Sequence, residues 1–508
     1  PAQPVSFFIE GDFLLPVNCG SHADYQNLVV ENLRKYYPNP DLLARSTWDI
    51  IERFWHLDLS DTDTLLTHKY SKFGPAPRTP SCMQRSYLLS IDFKVSSITE
   101  WAAQLKMNPL FAILSGFQVG DTPGVGTFYD FMKRLWDSDE PHMTSHIHPL
   151  KAKVKKPDAK GEKAASVEKV TVAELLPQLE KTAFPLNDQP YASLFKIYQK
   201  EFLDVSVEKG LIHKDSLALA GDGTPVVTSH RERKKRICKC KENGINDCSC
   251  DRYFSQPDCD IGWDSSRDCF YHGYDLYMLV DSQSDLPVFP HYSYASKHDS
   301  HGFLQAFFRM RAFLPDYKVS KVLLDSAHDA MPYYQYFKRQ NITPFIDLNG
   351  KGGRPPVYKN DFTIDKDGVP VCPSGHRMRR DGIEVAKGRM KFKCPKISHT
   401  GGCISCTCDK PCSKAKYGRT VHLILNDNPR LFNNPPRSSK EWKLEYNART
   451  SAERSNKREK LDFKLEDGRH RSTKMWYCRL YHILMLQHLD AWDLPSESPL
   501  RKLILNAA

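Results

Sequence analysis

Apolar residues recur at three- and four-residue spacing through Asp24-Tyr-Gln-Asn-Leu-Val-Val-Glu-Asn-Leu, Thr47-Trp-Asp-Ile-Ile-Glu-Arg-Phe-Trp and Ile98-Thr-Glu-Trp-Ala-Ala-Gln-Leu. That period buries one face of a helix. After the loop Gly120-Asp-Thr-Pro-Gly-Val-Gly, the stretch Thr127-Phe-Tyr-Asp-Phe-Met-Lys-Arg-Leu-Trp resumes the pattern, with Thr127 as its expected N-cap. Residues 1–148 thus read as a helical domain, and the Lys-rich, apolar-poor residues 149–172 as a solvated linker. The texture changes at Leu217-Ala-Leu-Ala-Gly-Asp-Gly-Thr. Short apolar runs ending in Asp recur at Tyr277-Met-Leu-Val-Asp and Lys321-Val-Leu-Leu-Asp-Ser, with the helix-like Gly302-Phe-Leu-Gln-Ala-Phe-Phe-Arg-Met-Arg between them. This alternation predicts a mixed α/β layer fold over residues 173–349. Residues 350–440 interrupt it with Gly, Pro, Cys and basic hairpin-like segments, as an insertion would. Residues 441–508 return to helix, and the stripe Tyr477, Leu480, Tyr481, Leu484 reads as core.

Composition narrows the class. The 508 residues leave room for about three or four domains, and 40 % apolar with 26 % charged residues is a globular balance. No run approaches the roughly 20 apolar residues of a membrane helix, so no membrane partner is expected. No secretion signal opens the chain, but it starts at Pro1 without Met, as a trimmed or partial chain would. A net charge of +11 suggests a polyanionic partner.

The fifteen cysteines are clustered. Cys238, Cys240, Cys248, Cys250, Cys259 and Cys269 form one group, and Cys372, Cys394, Cys403, Cys406, Cys408 and Cys412 a second. Cys19, Cys82 and Cys478 stand alone and read as small buried hydrophobes. Tight CxC and CxxC spacing without a secretion signal favours thiolate metal sites over disulfides. Structural Zn²⁺ is the candidate ion: Cys238, Cys240, Cys248 and Cys250 for one site, and Cys372, His376, Cys394, Cys403, Cys406, Cys408 and Cys412 for one or two more. Free cysteines in a β-hairpin insertion are the competing reading.

Asp222 and Asp325 each follow an apolar run, and carboxylates at strand C-termini of an open α/β sheet are placed to meet. Taken singly, each is an ordinary turn residue. The segment Tyr446-Asn-Ala-Arg449-Thr-Ser-Ala-Glu453-Arg-Ser-Asn-Lys-Arg-Glu-Lys460 adds a third element. On one continuous helix its phenol, guanidinium, carboxylate and ammonium would fall in a stripe about 60° wide. Three acidic residues would suit a pair of Mg²⁺ ions, which take oxygen ligands in preference to thiolates.

The Tyr-x2-Arg-x3-Glu-x6-Lys spacing, preceded by Asp-Gly-Thr and Leu-Asp-Ser-Ala-His-Asp, resembles the DDE transposases of bacterial insertion sequences. The stretch Asn108-Pro-Leu-Phe-Ala-Ile-Leu-Ser-Gly-Phe resembles the helical N-terminal DNA-binding or helper domain of such enzymes. The resemblance implies an RNase H-like mixed sheet with flanking helices and a Cys-rich β insertion before the catalytic Glu helix. It implies Asp222, Asp325 and Glu453 as the catalytic triad on two Mg²⁺ (or Mn²⁺) ions, and Tyr446, Arg449 and Lys460 as contacts to DNA phosphates. It also implies double-stranded DNA as partner (transposon ends and target), action as a homodimer, and a cytoplasmic, nucleoid-associated location. Where relatives often have Gly-Tyr-Lys this chain has Gly273-Tyr274-Asp275, which removes a basic DNA contact but leaves the triad.

The gap of 128 residues from Asp325 to Glu453 exceeds what one crossover helix needs, so the insertion lies there. The basic run Arg231-Glu-Arg-Lys-Lys-Arg follows the Asp222 strand, so Arg233, Lys234, Lys235 and Arg236 are candidate phosphate contacts. Gly350-Lys-Gly-Gly-Arg-Pro-Pro lacks a phosphate-loop ending and reads as a connector. Two other readings compete with a transposase: a catalytically inactive, zinc-containing DNA-binding relative, and an RNase H-like nuclease without joining activity.

Overall fold

The computed structural model describes residues 21–39, 43–71, 73, 76–138, 170–228, 235–236, 238–248, 252–253, 259–350, 357–358, 362–398, 405–409, 411–415, 417–468, 470–493 and 499–505. The first helices are α1 (His22–Tyr36), α2 (Arg45–His56), α3 (Ser60–Leu66), α4 (Pro80–Asp92), α5 (Ile98–Met107), α6 (Pro109–Ser115) and α7 (Val125–Arg134). The Ser21 side chain accepts from Asp24 N–H to cap α1. The backbone of Gly124, not Thr127, caps α7: the helix starts three residues earlier than its polar marker suggests. Then come α8 (Val172–Lys181), α9 (Ala192–Tyr198) and α10 (Asp204–Glu208), with a π turn over Gln199–Leu203 joining the last two.

Strand β1 (Leu217–Val227) opens the sheet region, followed by the short antiparallel pair β2 (Lys235–Arg236) and β3 (Arg252–Tyr253). Next are β4 (Asp260–Asp264), β5 (Cys269–Asp281), β6 (Pro287–Tyr294), α11 (Asp299–Phe313), β7 (Val319–Leu324), α12 (Met331–Arg339) and β8 (Thr343–Ile346). The result is a mixed α/β sheet in the order β4-β5-β1-β7-β8, with β6 also on β5. β5 runs antiparallel to β1, β4 and β6, while β7 and β8 run parallel to β1. The run Leu217-Ala-Leu-Ala is fully buried, as expected of a central strand covered on both faces.

Residues 357–424 hold small sheets. One joins β9 (Val357–Tyr358), β10 (Phe362–Ile364) and β11 (Pro370–Val371), and β14 (Ile397–Ser398) pairs with β15 (Ser405–Cys406). Another joins β12 (Arg379–Glu384), β13 (Arg389–Lys393) and β16 (Thr420–Ile424). They pack around their own apolar cluster, which includes Met390, Phe392, Leu423 and Phe432. A second, far larger cluster runs continuously from Tyr25 to Ile504.

The last helices are α13 (Lys440–Asn447), α14 (Thr450–Lys457), α15 (Thr473–Ala491) and α16 (Pro499–Leu505). Helix α15 has fifteen of its nineteen residues buried, so it is a central element and not a surface one. It packs on α4, α9 and β6 and carries the expected stripe Tyr477, Leu480, Tyr481, Leu484 into the core. Cys82 and Cys478 are buried as expected, whereas Cys19 lies outside the described residues. No helix among the described residues is long and apolar enough to cross a membrane.

Candidate active site

Adjacent parallel strands bring the two aspartates together. Ala220 on β1 lies opposite Leu323 on β7, and the same offset of 103 residues sets Asp222 level with Asp325, two steps on. Parallel neighbours lie about 4.8 Å apart. Asp222 is not at the C-terminal end of its strand, as its apolar run suggested. It sits in the middle of β1, which continues to Val227 against β5. What ends is the parallel neighbour: β7 stops at Leu324, and Asp325 caps the short 3₁₀ turn Ser326–His328 by accepting from Ala327 N–H at 3.1 Å.

The glycines flanking Asp222 have a packing reason. A Cβ on Gly221 would stand 2.8 Å from the Tyr277 hydroxyl, and one on Gly223 2.5 Å from Asp299 Oδ1. Because side chains alternate along a strand, Tyr277 and Asp299 press on one face while Asp222 points to the other. Gly223→Ala is expected to destabilise the fold by about 1–3 kcal/mol. Denaturation midpoints would show it, and an unchanged midpoint would mean that the start of α11 does not seat there.

Helix α14 crosses β1 and β5 on the Asp222 side. Three of its four buried residues are small, Ser451, Ala452 and Ser455, which lets the helix approach closely, and the fourth is Asn456. Asn456 Nδ2 donates to Asp222 Oδ2 at 3.1 Å, and Arg454 makes two 2.6 Å hydrogen bonds to Asp285 in the β5–β6 turn. Helix α13 is held by Lys321 of β7, 2.7 Å from Glu445, and by Trp442 against Phe345 of β8. Glu453 therefore faces the Asp222 and Asp325 region from the first turn of α14, where the helix dipole favours a carboxylate.

The single-helix stripe is corrected by the structure. α13 ends at Asn447, α14 ends at Lys457, and a π turn spans Arg458–Asp462. Tyr446, Arg449 and Glu453 remain neighbours: Arg449 lies 6.0 Å over the Tyr446 ring and pairs with Glu453. The π turn re-aims Lys460. Its ammonium donates to Pro225 O at 2.7 Å and sits 3.1 Å from Glu466, so its charge is largely spoken for. A 3₁₀ turn over Leu465–Asp467 separates α14 from α15.

Electrostatics single out the site. Burial pushes the Asp222 carboxyl up to about 7; Arg449 opposes this, while Asp299, Asp325 and Glu453 add to it. At Asp325 burial also works upward, but the His328 hydrogen bond and charge, the Ala327 N–H and Arg449 outweigh it, and the group lies below its usual value. Burial lifts the Tyr446 phenol to about 12, so it stays a hydrogen-bond donor. Asp275 is buried behind the site and raised by burial and by Asp299, with Ser293 opposing.

Each carboxylate of the proposed triad has one oxygen engaged by the protein. Asp222 Oδ2 takes Asn456, Asp325 Oδ1 takes His328 and Ala327, and Glu453 Oε1 takes Arg449. The other oxygen of each has no hydrogen bond among the described residues, which suits oxygen ligation of hard divalent cations. The three do not close to within 4.8 Å of one another, as a single ion would require. Two ions shared among the three would not require all of them to meet.

The first cysteine group comes together. Cys238, Cys240 and Cys248 have their sulfurs within 4.8 Å of one another, the one trio of potential metal ligands that close among the described residues, and can hold a metal ion. The Cys238–Cys248 sulfurs are 3.4 Å apart, well beyond a disulfide bond of about 2.05 Å. Cys250 lies outside the described residues. In the second group, burial raises the Cys412 thiol and the neighbouring Cys372 and Cys394 raise it further, but the three sulfurs do not all close to within 4.8 Å of one another. The His376 carbonyl accepts from Cys372 N–H at 3.0 Å, and Cys408 is partly buried. Cys403 lies outside the described residues, as does the side chain of Cys406. Arg233, Lys234, most of the 149–172 linker and residues 351–356 of the connector also lie outside them, as do the side chains of Lys235 and Arg236.

Two residues of this site escaped sequence reasoning. Asn456 stands three positions after Glu453, the spacing of a shared helix face, and His328 lies inside the Leu-Asp-Ser-Ala-His-Asp stretch itself. No protein-family model matches the chain, and no curated protein matches it. What the site can do is therefore read from its own residues.

Proposed function

We propose that this chain is a DDE transposase with an RNase H-like core, cutting the ends of its own element and joining them to target DNA. The observation that carries the reading is the shared level of Asp222, in β1, and Asp325, just past the end of the neighbouring parallel strand β7, with the Glu453 helix laid across β1. Such a mixed sheet fits the core that the resemblance implies. Asp222, Asp325 and Glu453 would together hold two Mg²⁺ (or Mn²⁺) ions. When bound, the ions supply activation of a water or 3′-hydroxyl and stabilisation of the leaving oxygen.

The chain's own residues do the rest. Asn456, His328 and Arg449 hold the three carboxylates in place. Arg449, 18 % exposed and beside Tyr446, offers a guanidinium and a phenol to phosphates flanking the scissile one. Lys460 would join them only after exchanging Glu466 for phosphate. The Arg231–Arg236 run, following β1, would extend the phosphate path, and two copies acting on paired ends would form the working assembly. The test is incubation of the protein with a labelled element end, target DNA and Mg²⁺. Joined product supports the proposal, cut ends alone point to a nuclease, and binding without either points to an inactive relative.

Zn²⁺ is the ion proposed for Cys238, Cys240 and Cys248, because soft thiolates in a tight group select it, and a second ion at Cys372, Cys394 and Cys412 would need those sulfurs to draw closer. Elemental analysis after gel filtration is expected to give at least one zinc per chain, reduced by Cys240→Ser. A content below about 0.2 per chain would remove both zinc assignments.

A further inference from the structure

The turn after β7 holds a buried imidazole. His328 is 1 % exposed and lies among the rings of Tyr277, Phe303 and Tyr333. Both its nitrogens are engaged: Nδ1 is 2.6 Å from Asp325 Oδ1, and Nε2 is 3.0 Å from the Tyr277 hydroxyl. One protonation pattern satisfies all three groups. The Tyr277 O–H donates to Nε2, and Nδ1–H donates to the carboxylate. Tyr277 is itself fixed, because its phenol lies against the Gly221 backbone, the residue before Asp222. A chain of phenol, imidazole and carboxylate therefore runs from the backbone beside one aspartate to the side chain of the other.

We infer that His328 is a positioning residue for Asp325, anchored by Tyr277, and that the pair sets how the Asp325 carboxylate meets a divalent cation. The inference rests on the DDE reading of the site. Oδ1 takes both hydrogen bonds the turn offers, from His328 and from Ala327 N–H, which leaves Oδ2 for the cation. Asp325 is partly exposed, and without the imidazole the bond from Ala327 N–H is the one hydrogen bond left to its side chain among the described residues. Holding the carboxylate in one rotamer removes an ordering cost from metal binding, and outer partners of this kind typically change metal affinity or activity by about 10–100-fold. Because Tyr277 packs on Gly221 as well, the same chain also keeps Asp222 and Asp325 at a fixed separation.

The experiment titrates the full chain with Mn²⁺, reading free Mn²⁺ by electron paramagnetic resonance, and measures DNA cleavage against Mn²⁺ concentration. His328→Ala is expected to raise the half-saturating Mn²⁺ concentration by about tenfold or more in both assays, with high Mn²⁺ restoring much of the rate. His328→Asn, whose amide can stand in for the Nδ1 donor, is expected to recover much of the loss. Tyr277→Phe is expected to shift the titration several-fold in the same direction. Wild-type Mn²⁺ affinity in folded His328→Ala, alongside loss of binding in Asp325→Asn, overturns the inference and leaves the DDE reading standing. If the wild type binds no Mn²⁺, or Asp325→Asn leaves its binding unchanged, the DDE reading falls and the inference with it. Should circular dichroism show His328→Ala unfolded, the other two variants decide: an unshifted titration in Tyr277→Phe together with no recovery in His328→Asn overturns the positioning role.

Discussion

Asp325→Asn is expected to lower metal-dependent DNA cleavage by about three orders of magnitude while the protein stays folded. The carboxamide keeps the size of the side chain and can still accept from His328 and Ala327, so the cap on the Ser326–His328 turn survives. What is lost is a full negative charge on a ligand oxygen. Metal-ion catalysis supplies several kcal/mol of charge stabilisation, and about 4 kcal/mol corresponds to roughly a thousandfold in rate. Single-turnover cleavage of a labelled element end measures it, with circular dichroism as the control for folding. Cleavage at the wild-type rate would show that Asp325 is not a metal ligand. Asp222→Asn should be as inactive, with an added signature. Its carboxyl titrates near pH 7 in the metal-free protein, so removing it should stabilise that form above pH 7.

The metal-free protein is expected to lose about 4 kcal/mol of stability between pH 6.5 and 8. Glu201, between α9 and α10, and Glu459, in the π turn after α14, are both raised to about 8, first by burial. Hydrogen bonds from Thr62 to Glu201, and from Gln487 and Ser455 to Glu459, work the other way without overcoming it. A carboxyl raised on folding holds its proton in the folded state over a range where the unfolded chain has lost it. The folded state then binds more protons, and stability falls as pH rises from the unfolded value toward the folded one. Each Glu contributes about 2 kcal/mol of loss over this interval, and Asp222 adds to it below pH 7. Buried histidines act on the acid side. His470 is lowered to about 3, and His482 and His488 to about 4, all mainly by burial. Their contribution is complete above pH 6.5 and is lost as pH falls, so between about 4.5 and 6.5 they offset the carboxyls. Stability should thus form a plateau ending near pH 6.5. Denaturant unfolding in the presence of EDTA, followed by tryptophan fluorescence, gives the profile. A double Glu201→Gln, Glu459→Gln variant should flatten the alkaline side; an unaltered slope there would mean that these carboxyls are not its source.

The parts of the site read correctly from sequence were those encoded locally. Tyr277-Met-Leu-Val-Asp, Lys321-Val-Leu-Leu-Asp and Leu217-Ala-Leu-Ala are strands because buried strands need unbroken apolar runs. The level match of Asp222 and Asp325 was not legible, because a ladder offset is set by pairing and not by either strand alone. The break at Ala448 and Arg449 carries no Gly or Pro to announce it, and neither does the π turn at Arg458–Asp462. An unmarked helix pattern reads as straight, so the contacts of Lys460 with Pro225 and Glu466 were not legible. Asn456 and His328 were visible as letters, but their meaning depends on a strand more than 200 residues away in one case and on Tyr277 in the other. The trio Cys238, Cys240 and Cys248 could be named from its spacing, whereas the approach of Cys412 to Cys372 and Cys394 required the fold of the small sheets.

Helix α15 sets a timetable for synthesis. Its side chains meet Gln84 on α4, Tyr198 at the end of α9, Ser206 on α10 and Glu459 in the π turn after α14. Until residue 473 and those after it leave the ribosome, each of those partners waits with an apolar surface uncovered. At about 5–20 residues per second, the 389 residues from Gln84 to Thr473 take roughly 20–80 s of translation. A message broken before that point would therefore yield chains that a protease finds open, although Asp222, Asp325 and Glu453 are already made. Only a copy that includes α15 can close this core.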